Sequence, residues 1–186
     1  LTAAIGERRM RAYHLLNLGL AHVQSGSAGE AHQLLGEAVA ELEVMGDTFG
    51  QAAGQLYLGL ALEHEGEWAT AAQRFGAAEE LFSSRGMDGF AVTALAGQAR
   101  AALALSHAHT ARRLTDRVWQ YLLERGASGL EFPILAYLTC ARVYTAVGDH
   151  ATAAAARAAG LRELTLAADK ISDAEWRRSL LVSVPE

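Results

Sequence analysis

The chain has 186 residues, 51% of them hydrophobic and 20% charged, with a formal net charge of -5, one cysteine and two prolines. That length allows one domain or one array of repeats, and it buries enough apolar surface to fold without staples. A single cysteine excludes a disulfide framework and a multi-cysteine zinc cluster, the acidic balance argues against nucleic acid as the main partner, and no stretch is apolar enough to span a membrane. No signal peptide is visible, so the cytoplasm is the expected compartment, and a start at Leu1 instead of Met makes a piece of a longer protein the expectation.

Glycines divide the chain. Gly26, Gly46, Gly66 and Gly86 stand twenty residues apart; Ser106 takes the next place and Gly126 the one after, and the spacing then slips by two residues before Gly148. Alanines follow a doubled period through Ala31, Ala71 and Ala111, with Ala153 next after the slip. A twenty-residue unit fits a helix of about 16 residues and a short turn. The predicted helices, in chain order, are 3–25, 28–45, 48–65, 67–85, 88–105, 107–125, 132–147, 150–168 and 173–183. Leu15, Leu18 and His22 recur at helical spacing in the first, Leu34, Leu35, Ala38 and Leu42 in the second, and Leu56 and Leu60 in the third. Ser27 with Glu30 reads as a capping box opening the second helix, and Ser172 with Glu175 as another at the ninth. Asp47, Asp88, Ser106 and Asp149 are the other expected caps. Residues 126–131 form the longest connector, and Pro133 suits the first turn of the helix that follows. The fold class expected is all-α, with the first eight helices paired as four antiparallel hairpins (about 3–46, 47–86, 87–126 and 127–168) and a capping helix over 172–183. Trp176, Leu180 and Leu181 are expected to cover the open apolar end of the fourth hairpin.

Each hairpin resembles a tetratricopeptide repeat with longer helices. The second unit carries Leu58-Gly59, Leu62, Gly66, Ala71, Phe75 and Ala78, and the first Leu18-Gly19, His22, Gly26, Ala31, Leu35 and Ala38. The third keeps Ala111, with Ala99 in the glycine slot, and departs at Ser106, Thr115 and Val118; the fourth has Cys140-Ala141, Tyr144, Gly148 and Ala153, then departs at Arg157 and Gly160. The resemblance spans about residues 12–168. It implies a right-handed α-solenoid of about four hairpins plus the capping helix, with the first helix of each hairpin lining a concave side. A glycine inside a helix costs about 1 kcal/mol relative to alanine. Gly59 is therefore expected where a neighbouring backbone, near Ala71, comes close, and Gly19 likewise at Ala31. The terminal stretch from Asp173 to Glu186 resembles the close of the C-terminal repeat region of large bacterial multidomain signalling ATPases, in which an Arg-Ser-Phe-Leu-x-x-Val-Pro-like helix follows the last repeat. Leu180 stands where the Phe is usual. Those relatives carry a nucleotide-cyclase domain or a DNA-binding domain of the kind found in the maltose-regulon activator.

No catalytic pattern is legible. The only lysine, Lys170, follows no phosphate-cradling glycine-rich turn, Gly26-Ser27-Ala28-Gly29 lacks the pattern of a nucleophile elbow, and Cys140 falls at a packed motif position. His107 and His109 are two apart, and His14 and His22 two turns apart, so neither pair has the spacing of a shared metal. No catalytic residue, metal or cofactor is expected. Glu63, Glu65 and Glu67 read as a solvated turn, and Arg8, Arg9, Arg11, Arg177 and Arg178 as solvated basic patches. By the resemblance, the exposed groove positions are Tyr13, Asn17, Leu20 and Gln24 in the first hairpin and Leu56, Tyr57, Leu60 and His64 in the second. Thr93 and Arg100 follow in the third, and Leu138 and Arg142 in the fourth, with Tyr57 and Arg142 as the expected anchors. The lysines with which chaperone-binding members clamp a carboxylate are missing. The expected function is a non-enzymatic protein–protein interaction and regulatory scaffold module of a larger bacterial signalling or transcription-regulating protein. The alternative is a small-molecule inducer-binding sensor using the same groove. Expected partners are a protein or peptide, or other domains of the parent chain, with no direct nucleic-acid or membrane contact, and self-association through the solenoid ends.

Overall fold

The computed structural model describes residues 2–183, with side chains from 6 to 182. Among the described residues there are nine helices and no strand: α1 (Thr2–Gln24), α2 (Ala28–Val44), α3 (Thr48–His64), α4 (Trp68–Ser84), α5 (Asp88–Ala104), α6 (Ala108–Arg125), α7 (Pro133–Ala146), α8 (His150–Asp169) and α9 (Ala174–Ser183). Every helix end lies within one residue of its predicted place, because the turns are written in local chemistry. Gly26, Gly46, Gly66, Gly86, Gly126 and Gly148 all have positive φ, and so does Ser106 at 62°. Ser106 therefore occupies the left-handed position that glycine fills elsewhere.

That turn geometry also decides the caps. The residue after the left-handed position donates its N–H to the carbonyl five residues back: Ser27 to His22 at 2.8 Å, Asp47 to Leu42 at 2.9 Å, Met87 to Phe82 at 3.0 Å and Asp149 to Tyr144 at 2.8 Å. A capping-box glutamate would need that same N–H. The expected Ser27–Glu30 box is accordingly not formed: the Ser27 side chain makes no cap bond, and Glu30 pairs with His22 Nδ1 at 2.9 Å. Asp47 and Asp149 do cap, accepting from the N–H of Gly50 (3.0 Å) and Thr152 (3.1 Å). Asp88 begins α5 after Met87, and His107, not Ser106, precedes α6; neither helix has a side-chain cap bond. At α9 the cap is Asp173 instead of Ser172, accepting from the N–H of Glu175 and Trp176, both at 2.9 Å.

Consecutive helices pack as hairpins, and α1, α3, α5 and α7 also touch one another in turn along one side, making an all-α solenoid. The two central helices of that row, α3 and α5, are buried on most of their circumference, which is why they read as near-continuous runs of Ala, Gly and Leu. Ala31, Ala71, Ala111 and Ala153 are fully buried, as are Leu35 and Phe75 four residues after the first two. Three helix-interior glycines, Gly19, Gly59 and Gly97, make room for those larger residues. A Cβ on Gly19 would lie 2.6 Å from the Leu35 side chain, and one on Gly59 2.6 Å from the Phe75 ring. The close partner is thus a side chain one turn beyond Ala31 or Ala71, not the backbone beside it. A Cβ on Gly97 would also lie 2.6 Å from that ring, so Phe75 is gripped by both the second and the third hairpin.

The α9 helix does not form the expected apolar cover. Trp176 is 73% and Leu181 44% exposed, and only Leu180 of the three is half-buried. At 100° per residue these side chains fan over about 140°, too wide for one contact strip. The helix is also tied to the α8–α9 connector, the Arg177 guanidinium donating to the Ile171 carbonyl at 2.6 and 2.9 Å. Val184, Pro185 and Glu186, which carry part of the terminal resemblance, lie outside the described residues.

Candidate functional site

The inner side of the array is the row α1, α3, α5 and α7. Its centre is filled by the chain itself. Gly126 (φ 63°) and Gly129 (φ 77°) turn the α6–α7 connector back across α3 and α5. There is no room for a side chain where it crosses: a Cβ on Gly89 would lie 2.4 Å from the carbonyl of Gly129. The Glu131 N–H then donates to Thr93 Oγ1 at 3.2 Å, and the Tyr57 hydroxyl donates to Glu131 Oε1 at 2.9 Å. Phe132 meets the Tyr57 ring edge-on at a centroid distance of 6.3 Å, and the Tyr121 hydroxyl holds the Ser128 carbonyl at 2.8 Å. Beneath the connector, Leu56, Leu60, Thr93, Ala96, Phe132 and Leu135 leave no space for water. Burial, reinforced by the Glu131 charge, holds the Tyr57 hydroxyl protonated well above its ordinary pKa.

The expected groove positions therefore separate. Leu56, Tyr57, Leu60 and Thr93 are buried rather than exposed, because the connector covers them. Tyr57 in particular has its hydroxyl committed to Glu131. Arg100 is only 9% exposed. Its Nε and Nη2 donate to the two Glu63 oxygens at 2.6 and 2.7 Å, its Nη1 donates to Thr139 Oγ1 at 3.1 Å, and its guanidinium lies 5.8 Å from the Phe75 ring centre. It is a strut across three hairpins instead of a free groove cation. Tyr13 is half-buried, with its hydroxyl 3.2 Å from both Asp47 oxygens; burial first, then the Asp47 charge, raise its pKa. Leu20 and Leu138 are half-buried, while Asn17, Gln24, His64 and Arg142 are exposed.

An open cleft lies on this side. It has a volume of about 200 Å³ and lies between the C-terminal halves of α3, α5 and α7 and the start of α4. Its walls include Trp68, Leu103, Val143 and the Arg100–Glu63 pair, and Arg142 stands in its lining. Arg142 makes no ion pair among the described residues. Of the expected set, then, the cleft joins Arg100 and Arg142, whereas Tyr13, Asn17 and Gln24 lie away from it. Trp68 is absent from the expected set because it belongs to a second-row helix; its one sequence signal is a large aromatic two residues past the Gly66 turn.

A different hollow of about 340 Å³ lies between α4, α5 and α6, lined by Glu79, Asp88, Glu124, Arg117 and Arg125 among others and bridged by the Arg117–Glu79 ion pair at 2.9 Å. Its mixed charge selects no single ligand sign. Burial, with a contribution from the Asp116 charge, pushes the Cys140 thiol up to about 12, which leaves it protonated and a poor nucleophile at neutral pH. Among the described residues no three His, Cys, Asp or Glu side chains group to hold a metal ion, and no helix is long and apolar enough to cross a membrane. Compared with models of known protein families the chain gives no match, and compared with curated proteins it gives none either.

Proposed function

We propose that this chain is a tetratricopeptide-type interaction module: a non-enzymatic, cytoplasmic regulatory scaffold within a larger bacterial signalling or transcription-regulating protein, binding a protein partner or other domains of its parent. The phased hairpins and their small-residue contacts support the kinship. The observation that carries the binding role is the Arg142 cleft, an unpaired planar cation beside an apolar wall of Trp68, Leu103 and Val143. A guanidinium suits a carboxylate, and an aromatic wall beside it suits an apolar side chain. At about 200 Å³ the cleft is smaller than the roughly 300–1,000 Å³ of a drug-sized ligand pocket, which favours a partner's side chain over a whole metabolite.

The test starts from a partner captured by the chain and measures its affinity by calorimetry. Arg142→Ala and Trp68→Ala should each weaken it by about 1–2 kcal/mol while circular dichroism stays unchanged. Binding that survives both changes, or that depends on Arg8 and Arg9 or on the α4–α6 side, would overturn the assignment of the cleft.

A further inference from the structure

The hollow between α4, α5 and α6 gathers charges of both signs that the chain leaves unmatched. One end is closed by the bridge from Arg117 on α6 to Glu79 on α4, whose other oxygen accepts from Gln98 at 2.7 Å. The floor is α5, where Leu95 is buried and Val92 half-buried. At the far end stand Asp88, Glu124 and Arg125, all exposed. Among the described residues none of these three makes an ion pair; Glu124 accepts from the neutral Gln120 at 2.9 Å. Glu124 and Arg125 are neighbours on one helix, so their side chains leave it about 100° apart and do not face each other. The α6–α7 connector lies close to this end, with the Gly129 carbonyl against Gly89 and the Tyr121 hydroxyl on the Ser128 carbonyl. Limited at both ends, the hollow suits a small molecule better than a passing stretch of chain. Its volume of about 340 Å³ falls within the roughly 300–1,000 Å³ of small-molecule sites.

A simple cation placed there meets Arg125, and a simple anion meets Asp88 and Glu124. A molecule with both charges on neighbouring atoms satisfies the whole set. We propose that the hollow is a binding site for a free α-amino acid with an apolar side chain. Its ammonium group donates to the Asp88 and Glu124 carboxylates, its carboxylate accepts from the planar fork of Arg125, and its side chain lies along Val92 and Leu95 toward the Glu79–Arg117 bridge. The site is separate from the Arg142 cleft and does not depend on what that cleft binds.

The experiment titrates the full 186-residue chain, labelled with nitrogen-15, with L-leucine and with L-phenylalanine. Saturable amide shifts should fall at Asp88, Val92, Glu124 and Arg125. Glycine, with no side chain to cover the floor, should bind several-fold more weakly. N-acetyl-leucine lacks the cation and leucinamide the anion, and each should lose about tenfold or more, the worth of a charged hydrogen bond. Arg125→Ala should weaken leucine by a similar factor and leave leucinamide unchanged. Asp88→Asn with Glu124→Gln should weaken leucine and leave N-acetyl-leucine unchanged. These side chains are exposed, so circular dichroism should show the same helix content in every variant. No saturable shift with either amino acid at millimolar concentration overturns the proposal, and so does a blocked analogue that binds as well as leucine. Arg142→Ala should leave leucine binding as it is, so failure at this hollow and failure at the cleft are read separately.

Discussion

Phe75 shows how a single side chain fixes where glycine is needed. Its ring is fully buried and touches the positions of Gly59 and Gly97 on two different helices, each 2.6 Å from where a Cβ would stand. Gly76, the next residue along the chain, has nothing within 4 Å of its own Cβ position. The two kinds of glycine should respond to alanine with opposite signs. Gly97→Ala forces the ring to shift in a packed core and should destabilise by about 1–3 kcal/mol. Gly76→Ala fills open space in a helix interior and restricts the unfolded chain, so it should stabilise by about 0.5–1 kcal/mol. Urea unfolding of both variants checks this; destabilisation by both would mean that helix α4 does not turn Gly76 away from the core.

Helix ends carry the pH dependence at the next scale. Asp149 caps α8 by accepting the Thr152 N–H, and Arg112 from α6 donates to its other oxygen at 3.1 Å. These interactions, the Thr152 bond first, hold its carboxyl below its ordinary value of 3.8. A carboxyl whose pKa is lowered by folding contributes stability that is complete above the ordinary value and is lost as pH falls through the lowered one. Asp149→Ala should therefore separate from the parent chain in urea midpoint at neutral pH, and the gap should close as the pH falls below about 4. Asp149→Asn, which still accepts from Thr152 but gives up the charge, should fall between the two at neutral pH. A gap that is constant with pH would mean that the charge plays no part in the cap.

Across the whole molecule, the hairpins are tied by a charged strut as well as by apolar contact. Arg100 on α5 reaches Glu63 on α3 and Thr139 on α7 from a site 9% exposed. Removing one member of such a pair strands the other. Arg100→Ala should cost about 2–3 kcal/mol, below the usual buried-pair range because the Glu63 side chain keeps 18% exposure. Replacing both members, Arg100→Met with Glu63→Gln, should recover most of that loss, since no buried charge is then left alone. Thermal unfolding of the single and double variants reads the coupling directly; additive effects would show that the two side chains stabilise the array independently.

Much of the architecture follows from residues close together in the chain. Positive-φ turn residues about twenty positions apart, with helix formers between, mark the helix boundaries from Gly26 to Gly148, and even Ser106 obeys the register of the glycines around it. Those are local preferences, expressed within one turn of backbone. Cap identity is less legible, because the bond from Ser27 to the His22 carbonyl spends the N–H that the Ser27–Glu30 pattern needs. The site is legible only in part. Arg142 is exposed as expected, but Tyr57 and Arg100 sit at the same kind of inner position and are buried. Their burial depends on Glu131, 74 residues from Tyr57, and on Glu63, 37 residues from Arg100. No helical period records a partner at that separation. Tertiary structure alone decided that the longest connector lies over α3 and α5, since its place depends on two backbones, at Gly89 and Gly129, meeting where any side chain on Gly89 would keep them apart.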